Sequence, residues 1–178
     1  MKHLLQLFIL LIFFIATSCK KDELPTPTEE GKQTLGCRVN GKLFVAQRKS
    51  MWQLSEEISA NVQERDGIMT LYIRGTDSTI DGEPSIYLLI DYDRVQQGVT
   101  YSFNDPNTGI ASAEYKYHHT TTNSTEYITS QSLFGELKFT LLDKDKNIAS
   151  GTFSFDAEDS QGEKVEVREG RFDVLFDK

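Results

Sequence analysis

From residue 34 onward, apolar and polar residues alternate in short runs rich in Val, Ile, Thr, Tyr and Phe, and turn residues separate the runs at fairly regular intervals. Successive side chains of a strand point to opposite faces, so this period of two predicts an all-β domain. Its form is either a single antiparallel β-sandwich or a partly closed β-barrel of roughly 8–10 strands built from hairpins. Leu137, Phe139 and Leu141 alternate with Lys138 and Thr140, Phe153 and Phe155 with Thr152 and Ser154, and Phe172, Val174 and Phe176 with Arg171 and Asp173. The apolar sets are expected to line one core. Arg171 and Asp173 then project from the opposite, solvent face, where an ion pair with Asp156 or Glu158 is expected. The run SIYLLIDY, residues 85–92, is apolar in consecutive positions and predicts a central strand covered on both faces.

Turn chemistry divides these runs. Asn40-Gly41 and Asp66-Gly67 supply the two positive-φ residues of type I′ hairpins. Further turns are expected at residues 76–84, 104–109, 119–125, 144–147 and 159–163. Gly151 suits a bulge or a close approach at a strand start, and Gly170 suits a bulge that turns the last strand. The segment MWQLSEEISA, residues 51–60, reads equally as a helical turn carrying Trp52 and Leu54 or as a strand, because period alone does not separate short apolar runs.

The first residues follow a different rule. Met1, Lys2 and His3 precede a run from Leu4 to Ala16 that is apolar except for Gln6, and Thr17-Ser18 lead into Cys19. Charged, apolar and small-residue regions in this order predict a secretory signal over residues 1–18. The apolar run rises only about 20 Å as a helix, against roughly 30 Å of bilayer hydrocarbon, so it is a poor permanent span. Ala16-Thr17-Ser18-Cys19 resembles a lipobox, with Ala16 where Leu is usual. The resemblance implies that Cys19 is lipidated, for example with palmitate, and becomes the first residue of the mature chain. Each buried acyl CH₂ contributes about 0.8 kcal/mol, so two or three chains hold stably where one does not. Residues 19–33, with two prolines and almost no apolar surface, are expected to form a disordered tether, and residues 34–178 the domain.

The CKKDE stretch after the signal resembles the start of many Bacteroidota lipoproteins exported to the outer face of the outer membrane. The C-terminal third, with SGTF-x-F followed by GRFD, resembles the end of an uncharacterised family of Bacteroidota outer-membrane lipoproteins, and TLGCRVNGKLFVA resembles that family's first hairpin. The resemblance implies an outer-membrane lipoprotein facing the periplasm or the cell surface. It brings no activity and no catalytic residue with it.

Charge and chemistry narrow the function by subtraction. Removing residues 1–18 takes away only Lys2 and leaves 18 basic residues against 27 acidic ones. No basic cluster with interleaved aromatics is present, so nucleic acid is not an expected partner. With Cys19 committed to lipid, Cys37 stands alone, and the fold must rest on its core without a cross-link; a lone strand cysteine is expected to be a small buried apolar group. Residues 143–147 imitate the first half of a calcium loop, but Ile148 and Ser154 occupy the positions that want Gly and a bidentate Glu, and a hairpin turn is the expected reading. His118-His119 lacks further ligands. No nucleophile elbow and no phosphate loop occurs, and neither a metal nor a cofactor is expected.

These features point to a non-catalytic binding or accessory domain of the cell envelope, anchored to the membrane through lipid on Cys19. A glycan or protein partner would be met by loops such as 76–84 and 119–125. Trp52, Arg171 and Asp173 are the candidate contact residues. Asp77-Ser78-Thr79 resembles a three-residue acceptor for O-glycosylation at Ser78. Two other classes stand beside this one: a barrel-type carrier of an apolar small molecule, which requires an unfilled interior lined by Phe and Tyr, and an unrecognised envelope enzyme.

Overall fold

The computed structural model describes residues 23–50, 56–120, 122–130 and 132–178. Among these there is no helix. Eleven strands form one strongly curled antiparallel sheet, a half-barrel: β1 (Thr34–Val39), β2 (Lys42–Val45), β3 (Ile58–Arg65), β4 (Ile68–Thr76), β5 (Ser85–Asp91), β6 (Thr100–Ser102), β7 (Ala111–His118), β8 (Ser124–Ile128), β9 (Gly135–Asp143), β10 (Ile148–Glu158) and β11 (Lys164–Leu175). The order is β2-β1-β11-β10-β8-β7-β5-β4-β3, with β9 added to β10 and β6 to β9. Of the two forms that the alternation allows, the chain thus takes the barrel-like one. Asn40-Gly41 and Asp66-Gly67 make their turns with all four residues at positive φ. Two short parallel bridges, Gln47 to Asp77 and Asn61 to Asp177, join the ends of the curl.

The core runs down the concave side. Phe44, Phe139, Phe153, Phe155 and Phe172 are buried together with Leu71, Ile73, Ile86, Leu88 and Leu137. They fill the interior, and the groove described below is lined by none of the phenylalanines. Glycines make room for the rings. Gly151 pairs across strands with Phe172, and Phe153 pairs with Gly170. A Cβ on Gly151 would sit 2.8 Å from Phe172 Cζ, and one on Gly170 2.5 Å from Phe153 Cδ2. Each ring lies over the bare backbone of the opposite glycine, in two reciprocal pairs on neighbouring strands.

Bulges decide which residues of a strand reach this core. On β11, Val165 and Val167 face inward at odd positions, yet Gly170, Phe172 and Val174 do so at even ones. The phase changes at Glu169, whose φ of 54° marks the bulge before Gly170. On β9, Ser150 pairs with Leu141 but Gly151 with Phe139, so Thr140 is the extra residue. The alternation expected for Leu141 is broken there: Leu142, not Leu141, packs against the core. The run 85–92 also differs from its expectation. Ile86, Leu88 and Ile90 are fully buried, whereas Tyr87 and Leu89 are only half-buried, because among the described residues no layer covers the convex face of β5.

Truncating a packed phenylalanine costs about 3–5 kcal/mol. Urea unfolding is expected to show Phe172→Ala in that range, and Gly151→Val at least as damaging, because its side chain has no space against Phe172. A Gly151→Val variant within about 0.5 kcal/mol of wild type would disprove the interlock.

Candidate functional site

Arg171 and Asp173 lie on the face of β11 opposite Phe172, as expected, but Asp173 is not at solvent: it is 1% exposed. The residues ahead of β1 cover it. Its carboxylate accepts hydrogen bonds from Thr28 Oγ1 at 2.5 Å, from the backbone N–H of Glu30, Gly31 and Lys32 at 3.2, 2.8 and 3.1 Å, and from Ser150 Oγ of β10 at 2.7 Å. Arg171 Nη1 donates to the carbonyl of Pro25 at 3.1 Å. The ion pair to Asp156 is made instead by Arg168, Nη2 to Oδ1 at 2.5 Å. Burial alone would push the Asp173 carboxyl up, but the bonds from Thr28, Ser150, Lys32 and Gly31 outweigh it and hold the pKa at about 2. Residues 25–33, expected as disordered tether, are therefore a strap laid on β1 and β11. A buried carboxylate with five donors leaves no open valence for a ligand, so Asp173 is spent on structure.

The loops singled out for binding do converge. The N–H of His118 donates to Gly82 O at 3.0 Å, and Gly82, at φ 82°, lies so close under Tyr117 that a Cβ would be 2.6 Å from its ring. This contact closes one wall of an open groove of about 570 Å³ on the convex face of β4, β5 and β7. Period two on β4 and β5 puts Arg74 beside Tyr87 and Thr76 beside Ser85 in register, and all four line the groove with His118 and Ser78. The Thr76 and Ser85 hydroxyls are 2.9 Å apart. Arg74 Nη2 donates to Glu56 O at 3.0 Å, and among the described residues no carboxylate pairs with its guanidinium. Arg74 and Tyr87 carry no motif of their own in the sequence. The signal was present in IMTLYIRG and SIYLLIDY, where each is the outward residue next to an inward Ile.

Ser78 is 3% exposed at the base of this groove, and its N–H donates to Gln47 O at 3.0 Å. Asp77, 2% exposed, caps the same turn by accepting from Thr79 N and Oγ1 at 3.0 and 2.6 Å. A glycan on Ser78 would require that turn to open. Trp52 and Cys19 lie outside the described residues. Cys37 is buried with a free thiol, and burial pushes its pKa up. Residues 143–147 form a hairpin turn in which Asp143 Oδ1 accepts from the N–H of Asp145 and Lys146 at 3.1 and 2.8 Å. His119 Nε2 lies 2.7 Å from Thr125 Oγ1. Among the described residues no three metal-ligating side chains gather.

A family model described as a domain of unknown function (DUF6252) matches residues 39–174. No curated protein and no solved structure matches the chain.

The depressed pKa of Asp173 has a definite sign. The unfolded carboxyl titrates near 3.9 and the folded one at about 2, so the strap's contribution is complete above about pH 5 and is lost progressively as pH falls through about 2. The loss amounts to roughly 2 kcal/mol. Urea midpoints measured between pH 5 and pH 2 should fall more steeply for wild type than for Asp173→Asn, which has no carboxyl to protonate. Parallel curves would show that Asp173 is not the group responsible.

Proposed function

The chain belongs to the DUF6252 family, and on that premise we propose that it is a lipid-anchored, non-catalytic domain of the cell envelope that binds carbohydrate in the groove across β4, β5 and β7. The observation that carries this reading is the meeting of the 76–84 loop at Gly82 with the end of β7 at His118, around Arg74 and Tyr87. Loops held together on a rigid sheet are where contacts reside. The chemistry of the walls fits sugars: a half-buried aromatic ring offers a face for C–H groups, and hydroxyls and a guanidinium offer donors and acceptors for the sugar hydroxyls.

Three further points favour binding at an exported surface. The groove is shallow and open, which suits an extended chain better than a small enclosed substrate. The carboxyl and the thiol with strongly moved pKa values, Asp173 and Cys37, are sealed under the strap and in the core, away from the groove. The signal pattern ending at Cys19 supplies an address and an anchor. The filled interior argues against a carrier, which needs an apolar cavity.

Native affinity electrophoresis through gels cast with neutral and acidic polysaccharides is expected to retard the wild-type domain in at least one of them. Tyr87→Ala should weaken that binding by about tenfold or more, equivalent to about 1.4 kcal/mol; retardation by none of the polysaccharides, or an unaffected Tyr87→Ala, would contradict the reading. Lipid attachment is tested separately with a clickable fatty acid. Cys19→Ala should lose the label, and undiminished label would remove the anchor from the account.

A further inference from the structure

We infer that Asp173 is a latch that shortens the lipid leash and holds the domain against the membrane surface. The inference rests on lipidation of Cys19, as proposed above, and extends it from where the chain is attached to how closely it is held.

The strap is fixed along its whole length, not at one point. At its start the Pro25 ring lies on Gly36 of β1, where a Cβ would be 2.5 Å from Pro25 Cδ, and Arg171 holds the Pro25 carbonyl at 3.1 Å. In its middle Thr28, Glu30, Gly31 and Lys32 converge on Asp173. Gly31 takes a φ of 70°, and its bare Cα faces Leu175, whose Cγ would be 2.7 Å from an added Cβ. At its end Gln33, with φ 54°, turns the chain back into β1, and its Nε2 donates to Leu175 O at 3.3 Å. Gly36 and Gly31 thus fit the strap as the other glycines fit the phenylalanines. The carboxylate meets three successive N–H groups, a concave arrangement of donors that suits an anion.

Reach follows from covalent geometry. A chain advances at most about 3.3–3.6 Å per residue. With the strap latched, six residue steps separate Cys19 from Pro25, and the leash spans about 20 Å at most. With the strap released, fifteen steps separate Cys19 from Thr34, and the span rises to about 50 Å. Asp173, buried on the strand that pairs with both β1 and β10, takes four of the strap's hydrogen bonds and so weighs most in which of these applies. The partner this arrangement fits is a lipid surface, with the domain confined to the layer next to the headgroups.

The test uses the full mature lipoprotein in vesicles of phosphatidylethanolamine and phosphatidylglycerol that carry an acceptor-labelled lipid. A donor dye is placed at Gln161→Cys in the exposed β10–β11 turn; Cys37 is buried and the Cys19 thiol is consumed by lipid, so neither competes. Energy transfer to the membrane is expected to be high with the native strap and to drop in Asp173→Ala. It should drop as well in Gly31→Pro, which removes a strap donor and substitutes no residue of the barrel. Hydrogen exchange on the same proteins is expected to show the Gly31 and Lys32 amides slow in the parent, both fast in Asp173→Ala, and the Lys32 amide fast in Gly31→Pro, where residue 31 has no amide proton, while β10 and β11 stay protected. A parent protein that does not stay on vesicles overturns the lipid reading and the leash with it. Vesicle association with equal transfer in all three proteins, or equal exchange of the strap amides, overturns the latch alone.

Discussion

A buried carboxylate has to be satisfied on every side, and Asp173 imposes that demand on β11, between β1 and β10. An ionised group removed from water costs several kcal/mol unless donors replace the lost hydration. Here they come from two sources: Ser150 on the neighbouring strand, and the strap that the chain lays across β1 and β11 before entering β1. The requirement explains why residues so poor in apolar side chains are ordered. They are held by polar geometry, with Pro25 and the two glycines, Gly31 and Gly36, supplying close fit at either end.

The same strand carries the other half of the architecture. On its concave side β11 interlocks with β10 through the Gly151–Phe172 and Phe153–Gly170 pairs, and the bulge at Glu169 lets Val165, Val167 and Phe172 all reach one core although their sequence positions differ in parity. With the interior filled, the outward residues of β4 and β5 are left to make the recognition surface. Arg74, Thr76, Ser85 and Tyr87 stand on a lattice of antiparallel bonds, and the Gly82–His118 contact closes one wall beside them. Strap and groove therefore lie on the convex side of one rigid sheet, one tied to the anchor and the other open.

Much of this was legible from the alternation of residues alone. The all-β class, the two Asn-Gly and Asp-Gly hairpins, and the inward set Phe153, Phe155, Phe172, Val174 and Phe176 follow from period two and turn chemistry. The misplacements share a physical cause. Period two holds only between bulges, so it puts Leu141 in the core where Leu142 belongs. It identifies a face but not what covers the face, so it puts Asp173 at solvent although a strap distant in sequence buries it. The strap was hidden for the same reason: composition reports whether a segment has apolar surface to bury, and this segment is fixed by backbone N–H groups, which every residue has. The groove was half legible, because its loops stood out through their turn residues, whereas Arg74 and Tyr87 become neighbours only once β4 and β5 pair.

The ionisation of Asp173 itself is the point at which the account is most exposed. A ¹³C NMR titration of the side-chain carboxyls in residues 23–178 would give it directly. The account predicts that the Asp173 resonance stays in its ionised position through pH 4, titrates at about 2, and moves together with the amide protons of Gly31 and Lys32. A resonance that titrates near 4 like a free aspartate, with those amides unmoved, would mean that the carboxylate is in water and the strap is not bound to it.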